Sequence, residues 1–296
     1  PTIDPDSATN DGGATVSRDG QANDEALAPT FEIPDNNQLG DYQLLGKLGQ
    51  GGMGVVYEAR HTKTGNRVAL KTLPTSLDGQ QVDADKLYRF RKEFRSLSNV
   101  NHPNLVGMQT LEVEGNQWFF TMDLIEGEDF ISYVRPNDQL DEQRLRDCLP
   151  QLAKGIIALH QRGIVHRDLK PGNVMVTDQG DVRILDFGLV AELQQNVEAT
   201  QTRSAMFVGT IPYAAPEQMF GQRTEANDWY GFGTMVYEAL AGEVPFPGNN
   251  QANLLRKQQE DPPTLEDQGD VPRDLAELVD GLLRREVVAR LGAESV

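Results

Sequence analysis

From residue 41 onward, apolar and polar positions fall into short runs with a period near two. Residues 42–48, 55–60 and 67–73 are separated by glycines or by the turn cluster Lys63-Thr64-Gly65-Asn66. Alternation bounded by turn residues predicts antiparallel strands joined as hairpins. The period then changes. Across residues 83–98, Leu87, Phe90, Phe94 and Leu97 recur every three or four positions in a charged stretch. That spacing predicts a helix laying one apolar stripe on a sheet. Two more strand-like runs, 105–112 and 117–124, complete a small sheet-plus-helix unit, and helical periodicity dominates from residue 141. The predicted fold class is α+β and bilobal: a β-rich first lobe over 41–125 carrying one helix, and a larger α-helical lobe over 126–296.

Residues 1–40 have another texture, with eight acidic side chains, one basic residue (Arg18) and few apolar groups. Such a segment cannot offset its ordering entropy, so a disordered acidic N-terminal tail is expected, with an acidic docking arm as the competing reading.

Charge and cysteine content then narrow the class. The net charge of −18 and pI near 4.6 argue against a protein that tracks a phosphate backbone, so no nucleic-acid partner is expected. The single cysteine, Cys148, excludes an internal disulfide framework, and its place in the helical stretch 145–152 makes it a buried thiol. The sequence has neither a run of eighteen apolar residues nor a basic-then-apolar leader. No membrane segment is expected in this chain, and a cytoplasmic location is. The chain starts at Pro1 without a methionine and stops at Val296 near a helical pattern. It is read as a piece of a longer protein, its C-terminal end truncated, whose parent could be membrane-anchored elsewhere.

Three strings carry the chemistry. Gly49-Gln50-Gly51-Gly52-Met53-Gly54 lies between two predicted strands, where glycines let backbone amides approach phosphates with no Cβ in the way. The string also fits a plain turn; a dinucleotide fingerprint would be followed by a helix, not a strand. Next, Val68-Ala69-Leu70-Lys71 sets an ammonium on the following strand, where a buried lysine needs an anionic partner. Glu93, on the helix, is the expected partner, though alone it reads as a solvated carboxylate. Densest is His166-Arg167-Asp168-Leu169-Lys170-Pro171-Gly172-Asn173, followed thirteen residues later by Asp186-Phe187-Gly188.

These strings resemble those of the eukaryotic-type (Hanks-type) Ser/Thr protein kinases, over residues 42–290. The Gly-Gly-Met-Gly form and Pro216-Glu217-Gln218 resemble the bacterial branch. The resemblance implies a serine/threonine kinase that uses ATP and Mg²⁺ on protein substrates. Asp168 would be the catalytic base, Lys170 would steady the γ-phosphate, Lys71 paired with Glu93 would hold the α and β phosphates, and Asn173 and Asp186 would ligate magnesium. The adenine pocket would take Val56, Ala69 and Met175 around the base, Met122 as gatekeeper and Asp123, Leu124 and Ile125 as hinge. For Met175, ordinary core packing is the competing reading.

Leu97, Met108, His166 and Phe187 resemble the stacked apolar column of active kinases. Residues 209–217 resemble the substrate-proximal loop, with Thr210 reaching toward Asp168 and Lys170. Asp228-Trp229-Tyr230 resembles the helix start that tethers the catalytic loop, and Glu217 would pair with Arg290. The chain departs from the family at Glu286, where Asp is usual, and at Leu291, where Pro is. Thr200, Thr202 and Ser204 are the candidate phosphorylation sites, with Arg167 as the phosphate partner and Arg89 as a second candidate; a kinase dimer would serve trans-autophosphorylation. A pseudokinase scaffold would lack one of Lys71, Asp168, Asn173 or Asp186, and a small-molecule phosphotransferase would lack the 209–217 loop.

Overall fold

The computed structural model describes residues 37–51, 54–73, 76–77, 80–81, 84–187, 211–265 and 271–294. Strands β1 (Gln38–Leu39), β2 (Tyr42–Gly51), β3 (Gly54–His61) and β4 (Arg67–Thr72) follow one another through tight turns. The short hairpin of β5 (Ser76–Leu77) and β6 (Gln80–Gln81) precedes helix α1 (Ala84–Ser98). Strands β7 (Met108–Glu114) and β8 (Gln117–Met122) close an antiparallel six-stranded sheet of order β1-β2-β3-β4-β8-β7.

Period-two alternation decides what each face of this sheet does. On β4, Val68 and Leu70 join Leu39, Tyr42, Leu44, Val55, Tyr57, Ala59 and Phe119 in one apolar cluster. Ala69 points the other way, into the main core with Phe90, Phe94 and Leu97 of α1 and with Met108, Phe120 and Met122. Lys71, two residues on, shares the Ala69 face and is thereby carried toward the cleft.

One expectation is corrected here. Residues 37–40, assigned to the tail, belong to the folded lobe: β1 pairs with β2 through Gln38↔Gln43 and Leu39↔Tyr42, and Leu39 is buried. Tertiary pairing and one anchored leucine order a segment whose composition alone reads as solvated.

After Met122 comes a second, three-stranded sheet of order β11-β10-β9, from β9 (Gly127–Asp129), β10 (Val174–Thr177) and β11 (Val182–Ile184). The helices are α2 (Phe130–Val134), α3 (Glu142–His160), α4 (Glu225–Ala241), α5 (Asn250–Gln259) and α6 (Arg273–Leu282). Asp141 caps α3 by accepting from the Arg144 amide at 3.1 Å, which satisfies an otherwise orphaned donor of the first turn. Helix α4 is buried on every side, from Asn227 and Asp228 through Trp229, Tyr230, Phe232, Met235, Val236 and Tyr237. A helix apolar all round forms the centre of a helical body. Gly242 ends it in the left-handed region at φ +83°, as a C-terminal cap requires. Cys148 is fully buried. No helix among the described residues is long and apolar enough to cross a membrane.

Candidate active site

The loop bearing His166–Asn173 is pinned from beneath by one carboxylate. Asp228, in the first turn of α4 and 1% exposed, accepts from the backbone amides of His166 (Oδ2, 2.8 Å) and Arg167 (Oδ1, 2.8 Å). Its Oδ2 also meets His160 Nε2, at the end of α3, at 2.8 Å. These bonds hold Arg167 at φ +71°, a left-handed conformation that a side chain adopts only when its surroundings enforce it. From the other side, Gln218 donates Nε2 to the Arg167 carbonyl at 2.8 Å and accepts from the Ala215 amide at 2.9 Å.

His166 is 2% exposed, its Nε2 lies 2.8 Å from the Leu185 carbonyl, and its Nδ1 receives the Asp168 amide at 3.3 Å. The carbonyl can only accept and the amide can only donate, so the imidazole is neutral with its proton on Nε2. The residue before Asp186 is thus tied to the residue two before Asp168. The Leu185 amide reinforces this by donating to the Asn173 carbonyl at 2.8 Å.

The charged groups meet where these segments converge. Lys170 Nζ lies 2.8 Å from Asp168 Oδ2. Asn173 donates Nδ2 to Asp168 Oδ2 at 3.0 Å and to the Asp168 carbonyl at 2.7 Å. Both bonds use the side-chain nitrogen, so they leave the side-chain oxygen Oδ1 of Asn173, the metal-type donor, uncommitted. Lys71, 6% exposed, donates to Asp186 Oδ2 at 2.5 Å, with Asp186 at φ +54°. Asp168 Oδ1 and Asp186 Oδ1 are both buried and have no hydrogen-bond partner among the described residues. Two carboxylate oxygens so placed fit a proton donor and a hard divalent cation.

Lys71 was expected to pair with Glu93. The described partner is Asp186; Glu93 falls within α1, and its side chain lies outside the described residues. The same holds for Arg89.

Above the charges stands the glycine hairpin. Gly49, Gln50 and Gly51 end β2 and pair across to β3, with Gly51 opposite Gly54. Gly52 and Met53 lie outside the described residues. At Gly54, φ is +142° and an added Cβ would lie 2.0 Å from the Thr72 carbonyl oxygen, so only glycine fits there.

Ala69 pairs with Met122, both buried, and Val56 pairs with Lys71. Leu124 and Ile125 pack partly buried against the same core. Asp123 anchors the connecting segment: its amide donates to the Gly107 carbonyl at 2.9 Å, and its carboxylate accepts from the Gly107 amide and from Gln109 Nε2. Met175 lies on β10 of the second sheet, opposite Asp129 on β9 and Arg183 on β11. Leu97, Met108, His166 and Phe187 are all buried.

Glu217 and Arg290 pair in a forked arrangement at 2.5 and 3.0 Å. Leu291, where proline is usual, packs beside α6. Its amide donates to the Gly281 carbonyl, and a Cβ at 281 would lie 2.3 Å from Leu291 Cδ1. Gly188, Thr200, Thr202, Ser204 and Thr210 lie outside the described residues. Sequence reasoning missed the bridging role of Gln218, which only the spatial approach of two distant loops reveals.

A two-lobed fold in which a lysine of a β-sheet meets an aspartate that follows a short hairpin, beside a loop holding Asp, Lys and Asn, defines the protein kinases. The chain belongs to that family: the protein kinase domain matches residues 42–296. It is 34% identical over 248 residues to the serine/threonine-protein kinase PknA of Mycobacterium tuberculosis, covering 81% of this chain and 56% of the relative. It is 31% identical over 243 residues to the serine/threonine-protein kinase PrkC of Bacillus subtilis, covering 81% and 37%. The crystal structure of Rad53 1-466 in complex with AMP-PNP superposes with a TM-score of 0.69 at 26% identity, over 86% of this chain and 63% of that one. The domain is therefore of the Hanks type, with bacterial Ser/Thr kinases among its relatives. The chain spans about half the length of PknA and less of PrkC.

Proposed function

We propose that this domain transfers the γ-phosphoryl group of ATP to serine and threonine hydroxyls of protein substrates, with magnesium, and that its own 188–210 segment is one of those substrates. The observation that carries the reading is the convergence of Lys71, Asp168, Lys170, Asn173 and Asp186, with one buried oxygen of each aspartate unpartnered among the described residues.

Asp168 Oδ1 accepts the hydrogen bond of the acceptor hydroxyl, aligns its lone pair and receives its proton as the oxygen–phosphorus bond forms. The bond from the γ-phosphorus to the bridging oxygen breaks, and ADP leaves. Lys170, bonded to the other oxygen of Asp168, faces the transferring group with its positive charge. Lys71 does the same for the remaining phosphates and keeps Asp186 in place. Asp186 and Asn173 would hold magnesium, which would supply charge neutralisation at the phosphate oxygens. Transfer through a loose transition state needs this positioning and neutralisation more than covalent chemistry. Val56, Ala69, Met122 and Met175, with the segment from Asp123 to Ile125, form the apolar slot for the adenine ring. Gly49 to Gly54 cover the phosphates.

Regulation follows from Arg167. Its Nε and Nη1 are buried without a partner among the described residues. A phosphate on Thr200, Thr202 or Ser204 would supply charge-assisted bonds to it and order the loop. Phosphorylation between two copies is the simplest route, and the reading places the domain in the cytoplasm, where ATP is supplied.

The test is incubation with γ-labelled ATP, Mg²⁺ and a generic protein acceptor, beside Asp168→Asn, with mass spectrometry of the products. Label on Ser and Thr of the acceptor and on the 188–210 segment, absent in the variant, is expected. No transfer by the wild type would refute the reading in favour of a nucleotide-binding scaffold.

A further inference from the structure

Lys257, on α5, is 1% exposed, and the chemistry above does not use it. Its Nζ lies 2.8 Å from the Ile211 carbonyl, 2.6 Å from that of Pro212 and 2.8 Å from that of Ala214. An ammonium has three N–H donors, and here each finds a backbone oxygen. Beneath it, the Tyr230 ring of α4 lies with its centre 5.1 Å from Nζ, and Arg290 stands 5.0 Å from the same ring. Burying an ammonium is costly, and a leucine could anchor α5 without that cost. What a leucine could not do is gather three carbonyls of one four-residue turn to a single point.

That turn borders the catalytic aspartate. Tyr213 and Ala214 line the same hollow as Arg167, Asp168, Leu169 and Gln218. Tyr213 is fixed further by donating its hydroxyl to Glu238 at 2.8 Å, and the Ala215 amide is held by Gln218. The segment is therefore gripped at its C-terminal end through Gln218, which reaches the catalytic loop, and along its length from α5.

We propose that Lys257 is a positioning residue for the protein substrate: by drawing the carbonyls of Ile211, Pro212 and Ala214 onto its ammonium, it shapes the wall against which the acceptor segment docks beside Asp168. The proposal rests on reading Asp168 as the base of a protein kinase. Burial pulls the Lys257 pKa down to about 7. The three carbonyls oppose that shift, because a neutral amine has two N–H donors and would leave one oxygen unmatched.

Lys257→Met keeps an unbranched stem close to that of lysine and removes the ammonium with its charge and donors. Its peptide KM is expected to rise at least tenfold, while the KM for ATP and the slow peptide-free hydrolysis of ATP stay within twofold of wild type. Lys257→Arg, which keeps a cation and its donors, is expected to recover part of the peptide KM. Lys257→Gln serves the same comparison if the methionine variant does not fold. Hydrogen exchange at the amides of 211–215 gives a readout independent of transfer, and faster exchange there in the variant is expected. An unchanged peptide KM, a parallel fall in ATP hydrolysis, or unchanged exchange would overturn the proposal. Faster exchange in the variant combined with no transfer by the wild type would instead refute the kinase reading, and with it the substrate role.

Discussion

Removing the cation from the Glu217–Arg290 pair isolates what one buried contact contributes to the helical lobe. Side-chain exposures are 8% for Glu217 and 0% for Arg290. Besides its fork on Glu217, Arg290 donates to the carbonyls of Ala226 at 2.9 Å, Arg284 at 3.0 Å and Arg285 at 3.3 Å. Arg290→Met leaves Glu217 buried with only the Asn227 amide, 2.7 Å away, as a described donor. Stripping one partner from a buried pair costs about 3–5 kcal/mol, because the remaining charge is uncompensated. At roughly 2–4 °C per kcal/mol for a domain of this size, the melting temperature should fall by about 6–20 °C. Pairing Arg290→Met with Glu217→Gln should recover part of that loss, since no unpaired charge remains. Urea unfolding followed through Trp229, buried one residue from the Tyr230 ring that Arg290 covers, reads the effect where it occurs. A loss below about 1 kcal/mol, the range of exposed ion pairs, would refute the argument.

Lys71→Met should lower turnover roughly 100-fold or more while nucleotide affinity changes only a few-fold, because the lost interaction acts on charge in the transferring group; turnover near wild type would count against the role given to Lys71. Cys148 offers a test of the core: burial pushes its thiol up to about 12, and it is fully buried. At pH 8 about one thiol in ten thousand is ionised. A disulfide reagent should leave the native protein unlabelled and react fully in urea; stoichiometric labelling of the native state would contradict the packing of α3.

Much of the fold was legible because the sheet alternates cleanly. The polar turns between β2, β3 and β4, and the spacing of Phe90, Phe94 and Leu97, place those elements to within a few residues. The strands β9, β10 and β11 went unread because runs of three or four residues are too short to show a period. The two residues of β1 have no local signal apart from Leu39. At the site, Asp168, Lys170, Asn173 and Asp186 stood out through motif density, and the pairing of Glu217 with Arg290 came from family resemblance. The bond from Lys71 to Asp186 spans 115 residues of sequence, and nothing local announces it. Lys257 sits in a helix of polar residues and reads as solvated; only the approach of the 211–214 turn makes it a buried cation.

The two oxygens of Asp228 have a consequence for how such an enzyme tolerates change. Because the loop bearing Asp168 takes its left-handed kink from a carboxylate rooted in the buried helix α4, its register belongs to the interior rather than to the cleft. A substitution that loosens the layer around Trp229, far from any phosphate, therefore displaces Asp168 by the same lever that destabilises the lobe. In this region a change that damages folding is expected to damage chemistry with it.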